Sequence, residues 1–135
     1  VLGPMIGLDT NVLVRYIMQD DRRQAALATQ LIESLTPEQP GFVSLVSVVE
    51  LYWVLGTSYE LSRSQLVAAL DALVRSRQLV VEQADQIVRA LRTYGGGSAD
   101  FPDCLIERVA SAMGCDKVMT FDVAAAKHAG MTLLA

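Results

Sequence analysis

Residues 5–13 read Met5-Ile6-Gly7-Leu8-Asp9-Thr10-Asn11-Val12-Leu13, and the change of character at Asp9 decides the fold class. The first four residues are a short apolar run, the pattern of a buried strand. Asp9-Thr10-Asn11 then supplies side-chain oxygens of the kind that open a helix, and Val12, Leu13, Tyr16 and Ile17 follow at helical spacing. A strand passing into a helix through an acid is the start of an α/β alternation.

The alternation continues outward. A second helix is expected from Asp21 to Leu35, with Ala25, Leu27, Ala28, Leu31, Ile32 and Leu35 inward, ended by Pro37 and Pro40. Phe42-Val43 reads as a short strand, and Leu45 to Leu55 as a largely buried helix. Ser62-Arg63-Ser64-Gln65 has the form of a capping box, in which Ser62 and Gln65 bond each other's free amides; its helix turns Leu66, Leu70, Leu73 and Val74 inward. Leu79-Val80-Val81 is a strand. Ala84 to Tyr94 is a helix stopped by Gly95-Gly96-Gly97, and another runs from about Asp100 to Met113, with Pro102 tolerable in its first turn. Lys117 to Phe121, Ala124 to Ala129 and Met131 to Leu134 read as strand, short helix and strand. Strands alternating with helices imply an α/β protein, a three-layer α/β/α sandwich around a central, mostly parallel sheet.

At 135 residues the chain suits one domain spanning 1–135, and no repeat or linker divides it. With 52% hydrophobic residues it can build a core. No apolar run reaches the ~18 residues of a membrane span; Gly41 to Leu55 is broken by Ser44, Ser47 and Glu50. No secretory signal opens the chain. Val1 to Pro4 read poorly as a native start, so Met5 is expected to be the natural first residue, with the four before it an added remnant. Cys104 and Cys115 lie eleven residues apart on one expected helix and its end, roughly 16 Å along the axis, too far for a disulfide. Reduced thiols and a cytoplasmic location are expected. The net charge of −4 lacks the basic surplus usual in nucleic-acid binders, but without five carboxylates described next the remainder is about neutral.

Those five are Asp9, Glu50, Asp100, Asp103 and Asp122. Ligands of parallel sheets bind beyond the carboxyl ends of the strands; Asp9 follows the first strand and Asp122 a late one, so neighbouring strands would bring both to one edge. Asp100 and Asp103, three apart, share the face of a helix at its anion-favouring N-terminus. Glu50 interrupts Val48-Val49-Glu50-Leu51-Tyr52-Trp53, where an ionised side chain needs a partner if buried. Each has an ordinary reading: Asp9, Asp100 and Asp103 as caps, Asp122 as a turn residue, Glu50 as an arginine partner. Together they point to a metal site, because clustered carboxylates repel unless a cation neutralises them. Oxygen-only ligands suit Mg²⁺ or Mn²⁺ over zinc, and such an ion can activate water for attack on a phosphodiester. Competing chemistries are thin. His128 is the sole histidine and reads as a solvated helix residue, neither cysteine has zinc-ligand spacing, and Gly95-Gly96-Gly97 lacks the rest of a phosphate loop.

The segments Ile6 to Leu13, Val48-Val49-Glu50-Leu51, Ala99-Asp100-Phe101-Pro102-Asp103-Cys104-Leu105-Ile106 and Val118-Met119-Thr120-Phe121-Asp122 resemble, in order, the motifs of PIN-domain ribonucleases, and more narrowly of VapC-type toxins of VapBC toxin–antitoxin pairs. On that resemblance Asp9, Glu50, Asp103 and Asp122 take the places of the four acidic residues. Asp103-Cys104-Leu105-Ile106 matches the family's Asp-x-Leu-Ile pattern, which makes Asp103 the third acid and Asp100 an auxiliary ligand. Asp9, Asp103 and Asp122 would bind the ion directly, and Glu50 would bind it through water or help orient the nucleophile. Thr10, Asn11 and Thr120 resemble polar residues lining such sites, whereas Glu107-Arg108 stands where the family often has small residues. The resemblance implies a Mg²⁺- or Mn²⁺-dependent endoribonuclease acting on RNA such as tRNA or rRNA, a homodimer, and inhibition by a cognate VapB-type antitoxin. Arg15, Arg22 and Arg23 flank the first helices and could hold phosphate or acidic antitoxin groups, or make surface ion pairs. The rival functions are a non-catalytic PIN-like protein-binding module and a structure-specific DNA nuclease.

Overall fold

The strand before Asp9 is short: β1 spans Ile6–Gly7, and the computed structural model describes residues 4–134. Residues 1–3, most of the expected remnant, and residue 135 lie outside the described residues. The chain divides into two units, Val1–Glu82 and Gln83–Ala135.

In the first unit β1 leads through Asp9 into α1 (Thr10–Met18), which turns at Gln19, held at φ 54°, into α2 (Arg22–Glu33). There follow β2 (Gly41–Val43), α3 (Leu45–Thr57), α4 (Arg63–Arg75) and β3 (Leu79–Val81). The sheet order is β1-β2-β3, with both pairings parallel and Phe42 opposite Gly7 on one side and Val80 on the other. Helices begin where the sequence provides side-chain acceptors. Asp21 Oδ1 accepts the Gln24 amide, Ser44 Oγ the Ser47 amide, and Ser62 with Gln65 closes the expected capping box. Leu13, Val43, Val48, Leu51, Leu55 and Leu70 are wholly buried. Gly41 is closely packed: a Cβ there would stand 2.8 Å from Leu35 Cδ1 and 3.0 Å from Leu8 Cδ1, so these leucine ends would have to shift.

The second unit begins with α5 (Ala84–Gly96) and α6 (Phe101–Ala112), which pack through Ile87, Ala90, Leu91, Tyr94, Phe101, Cys104 and Leu105. Tyr94 and Phe101 meet edge to face, ring centres 6.0 Å apart. Parallel β4 (Met119–Thr120) and β5 (Thr132–Leu133) flank α7 (Val123–His128). Cys104 is buried, Cys115 exposed, and the two form no disulfide with each other, as the axial separation required.

Several local expectations are corrected. The first strand is not buried: Ile6 is 48% exposed, and Leu8 alone of that run faces the core. Leu27, expected inward, is 53% exposed, because α2 buries the narrower stripe Ala25, Ala28 and Ile32. The glycine run does not stop α5 at Tyr94; Gly95 and Gly96 complete its last turn. No helix among the described residues is long and apolar enough to cross a membrane.

Candidate functional site

In the first unit Asp9 is the N-cap of α1, in extended backbone geometry, and its Oδ1 accepts the Thr10 amide at 2.8 Å. The next side chain turns back to a different helix: buried Thr10 donates its hydroxyl to Glu50 Oε1 on α3 at 2.6 Å. Two acids forty-one positions apart are thereby tied through one residue. With Asn11, Val14, Arg15, Val54, Ser58 and Tyr59 they line a cleft of about 470 Å³. Glu50 is exposed rather than buried, which corrects the reading of it as an ion inside an apolar helix. The buried positions of α3 are Ser47, Val48, Leu51, Tyr52 and Leu55, and Glu50 stands outside them. Its partner is a hydroxyl, not an arginine.

In the second unit Asp100 caps α6, accepting the Asp103 amide at 2.9 Å, with Pro102 in the first turn as expected. Asp122 caps α7 by accepting the Ala124 and Ala125 amides at 2.8 and 3.2 Å, and its own amide donates to Thr120 Oγ1 at 3.0 Å. Thr120 therefore supports the turn that presents Asp122. Asp100 and Asp103 are half-buried, and Asp122 is exposed; the effect on acidity falls on Asp103. Loss of solvent, then the neighbouring charges of Asp100 and Asp122, hold its carboxyl above the usual carboxylate range.

A model of the PIN domain matches residues 6–131. The chain belongs to the PIN-domain family. The matched span runs through both units and takes in all five acids. The chain is also similar to a VapC ribonuclease of Aquifex aeolicus (strain VF5), 25% identical over 115 residues that cover 84% of each chain. The resemblance carried by the ordered motifs is thus met by two comparisons. The fold class is the one expected, the three-layer α/β/α PIN-like type, and each observed strand pairing is parallel.

The ordinary and functional readings of this PIN-domain chain's acids are compatible. Asp9, Asp100 and Asp122 each spend Oδ1 on a helix start, and among the described residues no hydrogen bond engages their Oδ2 atoms. A carboxylate offers about four lone-pair sites, so a cap leaves capacity for a cation. The donor set, oxygens only, fits a hard divalent ion. Among the described residues, no group of three or more His, Cys, Asp or Glu side chains is gathered closely enough to hold a metal. Asp100 and Asp122 act on the charge of Asp103 without forming a ligand set with it.

Three further residues at this site escaped the sequence. Ser58 and Tyr59 line the cleft, and Asp20 binds the Tyr59 hydroxyl at 2.6 Å. They lie in connections between helices, where no periodicity marks a residue as functional. His128 sits exposed in the last turn of α7, as a solvated residue should.

Proposed function

We propose that this chain is a toxin endoribonuclease that hydrolyses RNA phosphodiester bonds with Mg²⁺ or Mn²⁺, and that its two units work as one domain. Asp9, Asp103 and Asp122 would hold the ion directly, with Asp100 auxiliary and Glu50 acting through water. The observation that carries this reading is the spare oxygen on each capping aspartate, in a chain whose PIN-domain match spans all five acids. When bound, the ion would lower the pKa of a water and neutralise charge on the phosphodiester. The chain's own contributions are positional. Asp9 is fixed by its cap, Glu50 is oriented by the Thr10 hydroxyl, and Asn11 lines the cleft where substrate would enter. The name of the Aquifex relative supports RNA as substrate. A cognate VapB-type antitoxin, a homodimeric state and a cytoplasmic location complete the proposal by family resemblance.

The test is cleavage of RNA in Mg²⁺ or Mn²⁺ by the wild type and by Asp9→Asn. Activity should fall about 10²- to 10⁴-fold, the range for loss of a catalytic polar group. Undiminished cleavage by a folded Asp9→Asn variant would sink the proposal. One observation favours a rival, the non-catalytic binding module: three of the acids already have a structural role as N-caps. Calorimetric titration with Mn²⁺ separates the two, since acids that serve only as caps take up no ion.

A further inference from the structure

We infer that Arg15 is a substrate-binding residue whose guanidinium holds a phosphodiester of the RNA strand beside Asp9 and Glu50. This rests on the nuclease reading above. Arg15 lies in the last turn of α1, where a cation is ordinarily favoured by the helix dipole, and its contact with Asp20 alone would be a common surface ion pair. Its other bonds go further. Nε donates to Gln24 Oε1 at 2.8 Å, while Nη1 donates to Tyr59 Oη and Asp20 Oδ1, both at 3.1 Å. The Tyr59 hydroxyl closes the ring on Asp20 Oδ2 at 2.6 Å. The partners come from α2, from the connection after α3 and from the turn between α1 and α2, and Asp21 ties that turn to Gln24. An ion pair needs one partner; this guanidinium plane is fixed by three.

Among the described residues no hydrogen bond engages Nη2, and the side chain keeps 31% of its exposure. A phosphate would therefore add to the network without displacing it. Arg15 lines the Asp9–Glu50 cleft and also the adjoining groove of about 490 Å³ formed with Asn11, Val12, Gln24, Leu27 and Leu31. Among the described residues it is the only cationic one lining either. A polyanion approaching two carboxylates needs a compensating donor next to them. The planar arginine fork matches phosphate oxygens, and fixing it beforehand reduces the ordering required on binding. Tyr59, Asp20 and Gln24 are then positioning residues that act through Arg15.

The experiment measures binding of a fluorescently labelled, unstructured RNA oligonucleotide to full-length Asp9→Asn protein, with and without Arg15→Gln, across a series of KCl concentrations. Arg15→Gln should weaken binding about tenfold and reduce the log–log salt slope by about 0.7, one phosphate contact on a single strand. Arg15→Lys should restore the slope but not the full affinity. In the cleaving protein, Arg15→Gln should raise KM about tenfold with kcat little changed. A purely structural role would shift the melting temperature and leave slope and KM alone, and that result overturns the inference. Should Arg15→Gln fail to fold, Arg15→Lys and Tyr59→Phe carry the test: each should raise KM about two- to fivefold, and unchanged KM in both overturns it. Wild type that cuts RNA with an unaltered salt slope in the variant leaves the nuclease reading standing and removes Arg15 from it. A slope difference without cleavage by the wild type does the reverse.

Discussion

The acids of the first unit are linked by hydrogen bonds through one residue, whereas in the second two capping acids place their charge beside a third. Asp9 and Glu50 are joined through Thr10, which donates its amide to the first carboxylate and its hydroxyl to the second. Asp100 and Asp122 raise the cost of ionising Asp103, which is also partly stripped of solvent. One pair is ordered by donors, and the trio is left with charge to neutralise. The difference teaches that a carboxylate can be given direction by hydrogen-bond donors or be left beside uncompensated charge, and that the two units differ in which they supply.

The comparison can be broken most forcefully through packing. Phe101 is wholly buried at the first position of α6, against Tyr94, directly beside Asp100. Phe101→Ala should destabilise the protein by about 3–5 kcal/mol, read by urea denaturation, and should loosen the helix start that crowds Asp100 and Asp103. A loss below about 1 kcal/mol would mean that packing does not hold the trio in place. The next largest effect belongs to the hydrogen-bonded pair. Thr10→Val keeps the shape at a buried position and removes the hydroxyl that orients Glu50, so RNA cleavage should fall about 10- to 100-fold, the range for lost supporting bonds at metal sites. Combined with Glu50→Ala it should add little further loss, because both variants break one interaction. Additive losses would show that Thr10 and Glu50 act separately.

Much of this was legible in the sequence, for identifiable reasons. Helix starts were readable because capping is local: Ser62 and Gln65 must meet if residues 62–65 open a helix at all. The five acids were legible as a set because their order along the chain matched a family pattern. Exposure was less legible. Glu50 looked buried because the residues around it are apolar, yet one position of an apolar helix can face solvent, and sequence does not say which. Glu82 illustrates the converse. It follows β3 much as Asp9 follows β1, but its Oε1 is engaged by the Leu45 amide at 2.7 Å, a contact across 37 positions. The Arg15–Tyr59–Asp20 ring was hidden for the same reason: it joins a helix end to two connections, and neither spacing nor composition announces it.

The smallest effect tests the charge half of the comparison. Asp103 has a folded pKa raised above its ordinary value of 3.8. A raised carboxyl contributes stability at pH below the unfolded value and loses it as pH rises through the folded value. At neutral pH the ionised Asp103 is therefore a liability, and Asp103→Asn should melt slightly higher than wild type. The helix dipole opposes this, since an acid in the first turn of α6 gains about 0.3–1 kcal/mol from it. The net rise at pH 7 should be small, on the order of a degree, and should vanish as the pH approaches 3, where wild-type Asp103 is itself protonated. Added Mn²⁺ should reverse the order, stabilising wild type through a neutralised trio and doing less for the variant. A variant that melts below wild type at every pH, with or without Mn²⁺, would show that Asp103 serves α6 as an ordinary first-turn acid, and the contrast between an ordered pair and a crowded trio would be lost.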